Sequence, residues 1–199
     1  EAEAVLSLTI SFININQIPE ITYFKNLKHL TVTSSKIKDY LDVRNFPSME
    51  NLYYPMNKDT LFEIQNHPTI RRCTLFVRSP LKKIFINGNN HLTYLWFRTN
   101  IGSTLEAIDS LDVSNNALDT IISTYIPQRI SEGYFNCSNN HLTNANTIPM
   151  VGYHTSILSN NAFNTPNIYF DGTTLDLSNN QFNNLTLFVS NDFKNINLS

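Results

Sequence analysis

Several things are scarce in this chain of 199 residues, and each scarcity removes a class of protein. Two cysteines are too few for a small fold stapled by disulfides. No apolar run approaches the roughly 20 residues a membrane-spanning helix needs, so no membrane insertion is expected. Positive charge is not in excess. A net charge of -2 and a pI near 6.2 lack the basic footprint of a nucleic-acid or polybasic membrane binder. Charge of either sign is low, at 15% of the chain against roughly 25% in typical soluble domains. Motifs for chemistry are missing too. His29, His67, His91, His141 and His154 are scattered without ligand spacing, and no nucleophile, base and orienting group recur together. The chain is therefore expected to be no enzyme and to carry neither metal nor cofactor.

What the chain has in quantity is asparagine, which is nearly as frequent as the 14 Lys and Arg and the 16 Asp and Glu taken together. Such a composition suits a disordered polar tract, but 41% hydrophobic and 12% aromatic content argue for a packed core. The opening Glu1-Ala2-Glu3-Ala4 looks like the remnant of a yeast mating-factor secretion leader. It is set apart from residues 5–199, which read as one domain, and it points to an extracellular or cell-surface protein.

The C-terminal half repeats openly. Leu111-Asp112-Val113-Ser114-Asn115-Asn116-Ala117-Leu118 is followed by similar stretches starting at Phe135, Ser156 and Leu175, each reading apolar, x, apolar, Ser, Asn, Asn, x, apolar, with Ser156 the one departure at the first position. Stepping backwards gives apolar pairs at Leu95/Phe97, Cys73/Leu75, Leu52/Tyr54, Leu30/Val32 and Leu8/Ile10, and forwards Ile196/Leu198. Their first members are evenly spaced as far as Leu95. The step from Leu95 to Leu111 is then short and the next, to Phe135, is long, after which a nearly even spacing resumes. One stretch is ambiguous. Leu81, Ile84, Ile86 and Leu92 form either the outer arm of one repeat, the preferred reading, or a strand of their own.

These motifs resemble the leucine-rich repeat, L-x-x-L-x-L-x-x-N/C-x-L. The resemblance implies an α/β solenoid, a horseshoe with a parallel sheet of about ten strands on its concave face and turns or short helices on the convex one. It also implies a ladder of stacked asparagines at Asn116, Asn140, Asn161 and Asn180, whose amides would satisfy turn backbone groups. Earlier equivalents are Asn57 and Asn100, but also Ile13, Ser35 and Arg78, so the ladder is expected to be incomplete there. Cys73 and Cys137 fall on core positions about three strand spacings, roughly 14 Å, apart, and read as free thiols.

Period 2 turns the residues between the apolar pairs outward. Large and cationic side chains concentrate on the third to fifth strands: Tyr53, Arg72, Phe76, Tyr94, Trp96 and Arg98. Tyr, Trp and Arg are the residues that anchor protein interfaces, so this group is the candidate site for a protein ligand or receptor. A register slip of one residue would instead turn Trp96 inward, and the sequence leaves that open. A second reading is a regular Thr, Ser and Asn face, with Thr9, Thr31, Thr74 and the serines from Ser114 to Ser178, binding an extended target such as a polysaccharide or ice. A third is an adaptor inside the cell. Asn136, Asn184 and Asn197 match the acceptor triplet for N-glycans, and a glycan on Asn136 would block the C-terminal half of the concave face.

Overall fold

The computed structural model describes residues 2–11, 19–33, 41–56, 61–77, 83–98, 108–123, 130–148 and 152–199. After β1 (Ser7–Ile10) and β2 (His29–Val32), the chain alternates between two faces of a coil. It passes through β3 (Asn51–Met56), β4 (Leu61–Gln65), β5 (Arg72–Val77), β6 (Lys83–Asn87), β7 (Tyr94–Arg98), β8 (Ser110–Asp112), β9 (Thr120–Ser123) and β10 (Ile130–Asn136). It ends with β11 (Tyr153–Ile157), β12 (Asn167–Phe170), β13 (Thr174–Asp176), β14 (Thr186–Val189) and β15 (Asn195–Asn197). All pairings are parallel. The first sheet runs β1-β2-β3-β5-β7-β9 and the second runs β4-β6-β8-β10-β11-β13-β15. A 3-10 turn at Ala145–Thr147 packs against both β9 and β12, and beyond it β12 and β14 form a short third sheet. The result is a parallel β-solenoid of about seven coils.

This corrects the expected horseshoe in two ways. Among the described residues there is no α-helix, only 3-10 turns, and the side expected to carry turns and short helices carries strands. Nor is there one sheet of ten strands. Leu8, Leu30, Leu52, Cys73 and Leu95 belong to the first sheet, whereas Leu111, Phe135, Ser156, Leu175 and Ile196 belong to the second. The short step from Leu95 to Leu111 crosses from one sheet to the other. The next first-sheet partner of Leu95 is Ile121, and the second-sheet partner preceding Leu111 is Ile84, itself paired with Phe62. Ile84 and Ile86 thus lie in β6 and are not an outer arm, while Leu81 falls outside the described residues. The coils from β3 to β8 each hold two apolar-x-apolar strands, and a reading that takes one strand per coil can follow either.

The apolar members of both strands meet between the sheets. Leu52, Tyr54, Cys73, Leu75, Leu95 and Phe97 from one side face Phe62, Ile64, Ile84, Ile86, Leu111 and Val113 from the other, all buried. Each such side chain contributes about 1.5–3 kcal/mol. Cys73 and Cys137 are buried free thiols, as expected, although on opposite sheets, and burial pushes both thiols far above their ordinary range.

Where the chain leaves the second sheet it must turn sharply, and the Asn-Asn pair divides that work. The first member supplies the backbone: Asn115, Asn139, Asn160 and Asn179 have φ between 53° and 56°, a left-handed conformation that asparagine tolerates better than most residues. The second supplies the side chain. Asn140 Nδ2 donates to Val113 O at 3.0 Å in the neighbouring coil and to Cys137 O at 2.9 Å in its own, while its Oδ1 accepts from Leu118 N at 3.0 Å. Asn116, Asn161 and Asn180 repeat this pattern.

The ladder also continues towards the N-terminus at positions the sequence reading did not name. In the turn after β6, Gly88 takes the left-handed position at φ 71° and Asn89 is the rung, accepting from His67 N and donating to Ile64 O. After β4 the positions are filled by Asn66, φ 53°, and His67. The buried His67 ring places Nε2 3.0 Å from Phe46 O and accepts at Nδ1 from Ile70 N at 3.2 Å. Positions 13, 35, 57, 78 and 100, the earlier equivalents expected from the sequence, lie outside the described residues.

Asn139→Gly should change unfolding free energy by about 0.5 kcal/mol or less, because glycine accepts the left-handed backbone. Asn140→Gly should cost about 2–4 kcal/mol by orphaning buried backbone groups, and urea unfolding of the two variants compares these directly. His67 gives a pH dependence. Burial holds its basicity below the ordinary value of 6.5, so the unfolded chain binds the extra proton first. The stability this contributes is present above about pH 6.5 and declines as pH falls through that value, by up to about 1.4 kcal/mol per pH unit. His67→Asn should flatten this slope in melts taken between pH 5 and 7.

Candidate binding face

The six candidate residues do come together, on the outward side of β3, β5 and β7. The register sets Tyr53 beside Thr74 and Thr74 beside Trp96, Arg72 beside Tyr94, and Phe76 beside Arg98. Arg72 is exposed and the others are half-buried. Inward neighbours Leu95 and Phe97 are fully buried, so Trp96 faces outward and the slipped register is ruled out. The rings are organised by the two arginines. The Arg98 guanidinium carbon sits 4.6 Å from the Trp96 ring centroid and 5.9 Å from that of Phe76, and Arg72 sits 5.8 Å from Tyr94. Residues two apart on one strand share a face, so Trp96 and Arg98 are positioned to stack by β7 itself. Each such contact is worth about 0.5–1 kcal/mol at an exposed site.

One polar atom in this cluster is left over. Trp96 Nε1 is buried and has no acceptor among the described residues, although an indole N–H normally finds one. Trp96 also borders a shallow depression of about 300 Å3, lined with it by His29, Asn51, Tyr53, Arg72 and Tyr94. Asn51 Nδ2 lies 2.7 Å from His29 Nδ1, which orients the imidazole along the rim. At the entry to β3, Lys28 holds the Glu50 carboxylate at 2.9 Å and keeps its carboxyl below the usual range. His29 and Asn51 stand in the same outward columns as the six, but neither has the bulk or charge by which the six were chosen.

The face continues differently from the sequence expectation. Beyond Trp96 comes Ile122 of β9, 38% exposed, and beyond Tyr94 comes Thr120. Asp112 and Asn136 lie on the opposite sheet, so a glycan on Asn136 would not cover the same face. Asn136 is half-buried and its Oδ1 accepts from Ser138 N at 3.0 Å, whereas Asn184 and Asn197 are exposed. The serine row is not a presented surface either: Ser114, Ser138, Ser159 and Ser178 are buried. This leaves the regular Thr, Ser and Asn reading with Thr9, Thr31 and Thr74 alone, a row interrupted by Tyr53. A separate exposed aromatic pair, Tyr169 and Phe188, stacks at 4.5 Å on the short third sheet. Among the described residues no three His, Cys, Asp or Glu side chains converge as a metal-binding group, and no helix is long and apolar enough to cross a membrane.

Arg98→Ala should uncover the ring of the only tryptophan in the chain. Acrylamide quenching of its fluorescence should rise, while unfolding free energy drops by about 1 kcal/mol or less.

No family model matches the chain, and no curated protein matches it. Among solved structures it is similar to an internalin (inlF) from Listeria monocytogenes str. 4b F2365, with 13% identity, a TM-score of 0.36, and coverage of 100% of this chain and 88% of that one.

Proposed function

We propose that this chain is a non-catalytic recognition module, a solenoid of the leucine-rich-repeat kind working outside the cell or on its surface. It holds a protein partner on the outward face of the first sheet, with Tyr53, Arg72, Phe76, Tyr94, Trp96 and Arg98 as contacts. The observation that carries this reading is the collection of four aromatic rings and two arginines on three adjacent strands of one open face. Interface hot spots draw on these residue types, and rings held by stacked guanidinium groups lose little side-chain entropy on binding. N-glycans, if carried, fit the exposed Asn184 and Asn197 and leave this face clear.

The test compares the unaltered chain with a Tyr94→Ala, Trp96→Ala double variant as baits for surface and secreted proteins of the native host, read by mass spectrometry. Both side chains point away from the core, so the variant should unfold cooperatively near the original midpoint. A specific protein retained by the unaltered chain should fall by about 30-fold with the variant, the equivalent of one hot spot of roughly 2 kcal/mol. Capture that is indifferent to the two substitutions would place the binding surface elsewhere.

A further inference from the structure

The two sheets present opposite charge. Among the described outward side chains of the first sheet are Arg72 and Arg98 and no carboxylate, whereas those of the second include Glu63, Asp112 and Asp176 against Lys83. Among the described residues neither Arg72 nor Arg98 has a carboxylate partner; both are held by rings instead. Of the carboxylates at the entries to the first-sheet strands, Glu50 is held by Lys28, while the exposed Asp119 lies before β9, one strand beyond the strands that carry Arg72 and Arg98. Packed sheets lie about 10 Å apart and the outward side chains further still, beyond a Debye length of about 8 Å in physiological salt. A partner on the first sheet therefore meets two unneutralised cations in spite of the net charge of -2.

Resting on the reading of this face as a protein-binding surface, we infer that its partner presents an acidic, extended polypeptide segment. Arg72 stands opposite Tyr94 in the register, and Arg98 is four residues further along β7. At about 3.3 Å per residue and one strand spacing sideways, the two cations are rooted roughly 14 Å apart, the span of four residues in an extended peptide. Tyr94, Trp96 and Arg98 recur every second residue, and alternate side chains of an extended segment recur at that same interval. A segment with two carboxylates four residues apart and an apolar side chain between them pairs both arginines and covers the Trp96 ring.

The sole tryptophan makes this measurable without a label. Poly-L-glutamate titrated into the intact chain at low salt should change Trp96 fluorescence saturably, and the midpoint should move several-fold to higher concentration when salt is raised. Poly-L-lysine should leave the signal unchanged. Arg72→Ala, which spares the ring stacked under Arg98, should weaken binding about fivefold, and Arg72→Lys should recover part of it. No fluorescence change with poly-L-glutamate, or a response equal in the Arg72→Ala variant, overturns the inference. Tighter binding of heparin than of poly-L-glutamate at the same face also overturns it, in favour of an anionic polysaccharide. If poly-L-glutamate fails while a host protein is still captured in a Trp96-dependent way, only the acidic character of the partner falls. Capture indifferent to Trp96 and Tyr94 removes the face itself.

Discussion

The amide of the asparagine that closes the turn in the coils from Asn89 to Asn180 is the interaction on which the rest of this solenoid depends. Parallel strands satisfy each other's backbone groups along the two sheets, but the sharp exit from the second sheet turns carbonyls and N–H groups into a buried interior. A side chain that both donates and accepts, at a fixed place in each of the described turns, ties that turn to its own strand end and to the neighbouring coil. Asn116, Asn140, Asn161 and Asn180 do this with nearly the same partners each time. Because the turn is fixed, the strands that follow it are aimed at the first sheet, and both apolar faces close on one core. Neutral amides suit this place because they are buried at far lower cost than ions.

The sequence made part of this visible, and the boundary has a physical cause. β8, β10, β11 and β13 stand out because Ser-Asn-Asn follows each at the same offset. β6 and β4 do the same work with other letters: Gly88 for the left-handed asparagine, then Asn89, and Asn66 followed by His67. What the turn demands is a backbone able to adopt positive φ and then a side chain with a donor and an acceptor, and glycine and histidine meet those demands as well as asparagine does. Matching residue types hides such equivalents; matching conformational and hydrogen-bonding capacity reveals them.

The facing of side chains is more legible than their sheet. Period 2 is enough to say that Tyr94, Trp96 and Arg98 share one side of β7, and Leu95 and Phe97 the other. It contains nothing about which of two equivalent strands in a coil pairs with which neighbour. Followed along the sequence, the face runs on into Ser110 and Asp112, where the chain has in fact crossed the coil, and its true continuation is at Thr120 and Ile122. The missing information is long-range: pairing between one coil and the next is decided by the core's shape, not by any local signal.

The two faces also differ in how much freedom their outward positions have. On the second sheet the middle outward residue is recruited by the turn in several coils, while Phe85 and Ile157 stand in the same row with apolar side chains that make no such bond. Asp112, Asn136 and Asp176 each accept, through Oδ1, the backbone N–H of a serine two residues on, and those serines are buried under the next coil. Replacing Asp112, Asn136 or Asp176 by an aromatic residue would leave its turn without that acceptor, so recognition and folding compete at those positions. The equivalent first-sheet row, Tyr53, Thr74, Trp96 and Ile122, makes no such recurrent contact to a turn among the described residues. Its side chains can vary in size and charge without disturbing the coil. A binding surface is most readily built where the fold asks least of the side chain, and in this molecule that is the face that carries Arg72, Tyr94, Trp96 and Arg98.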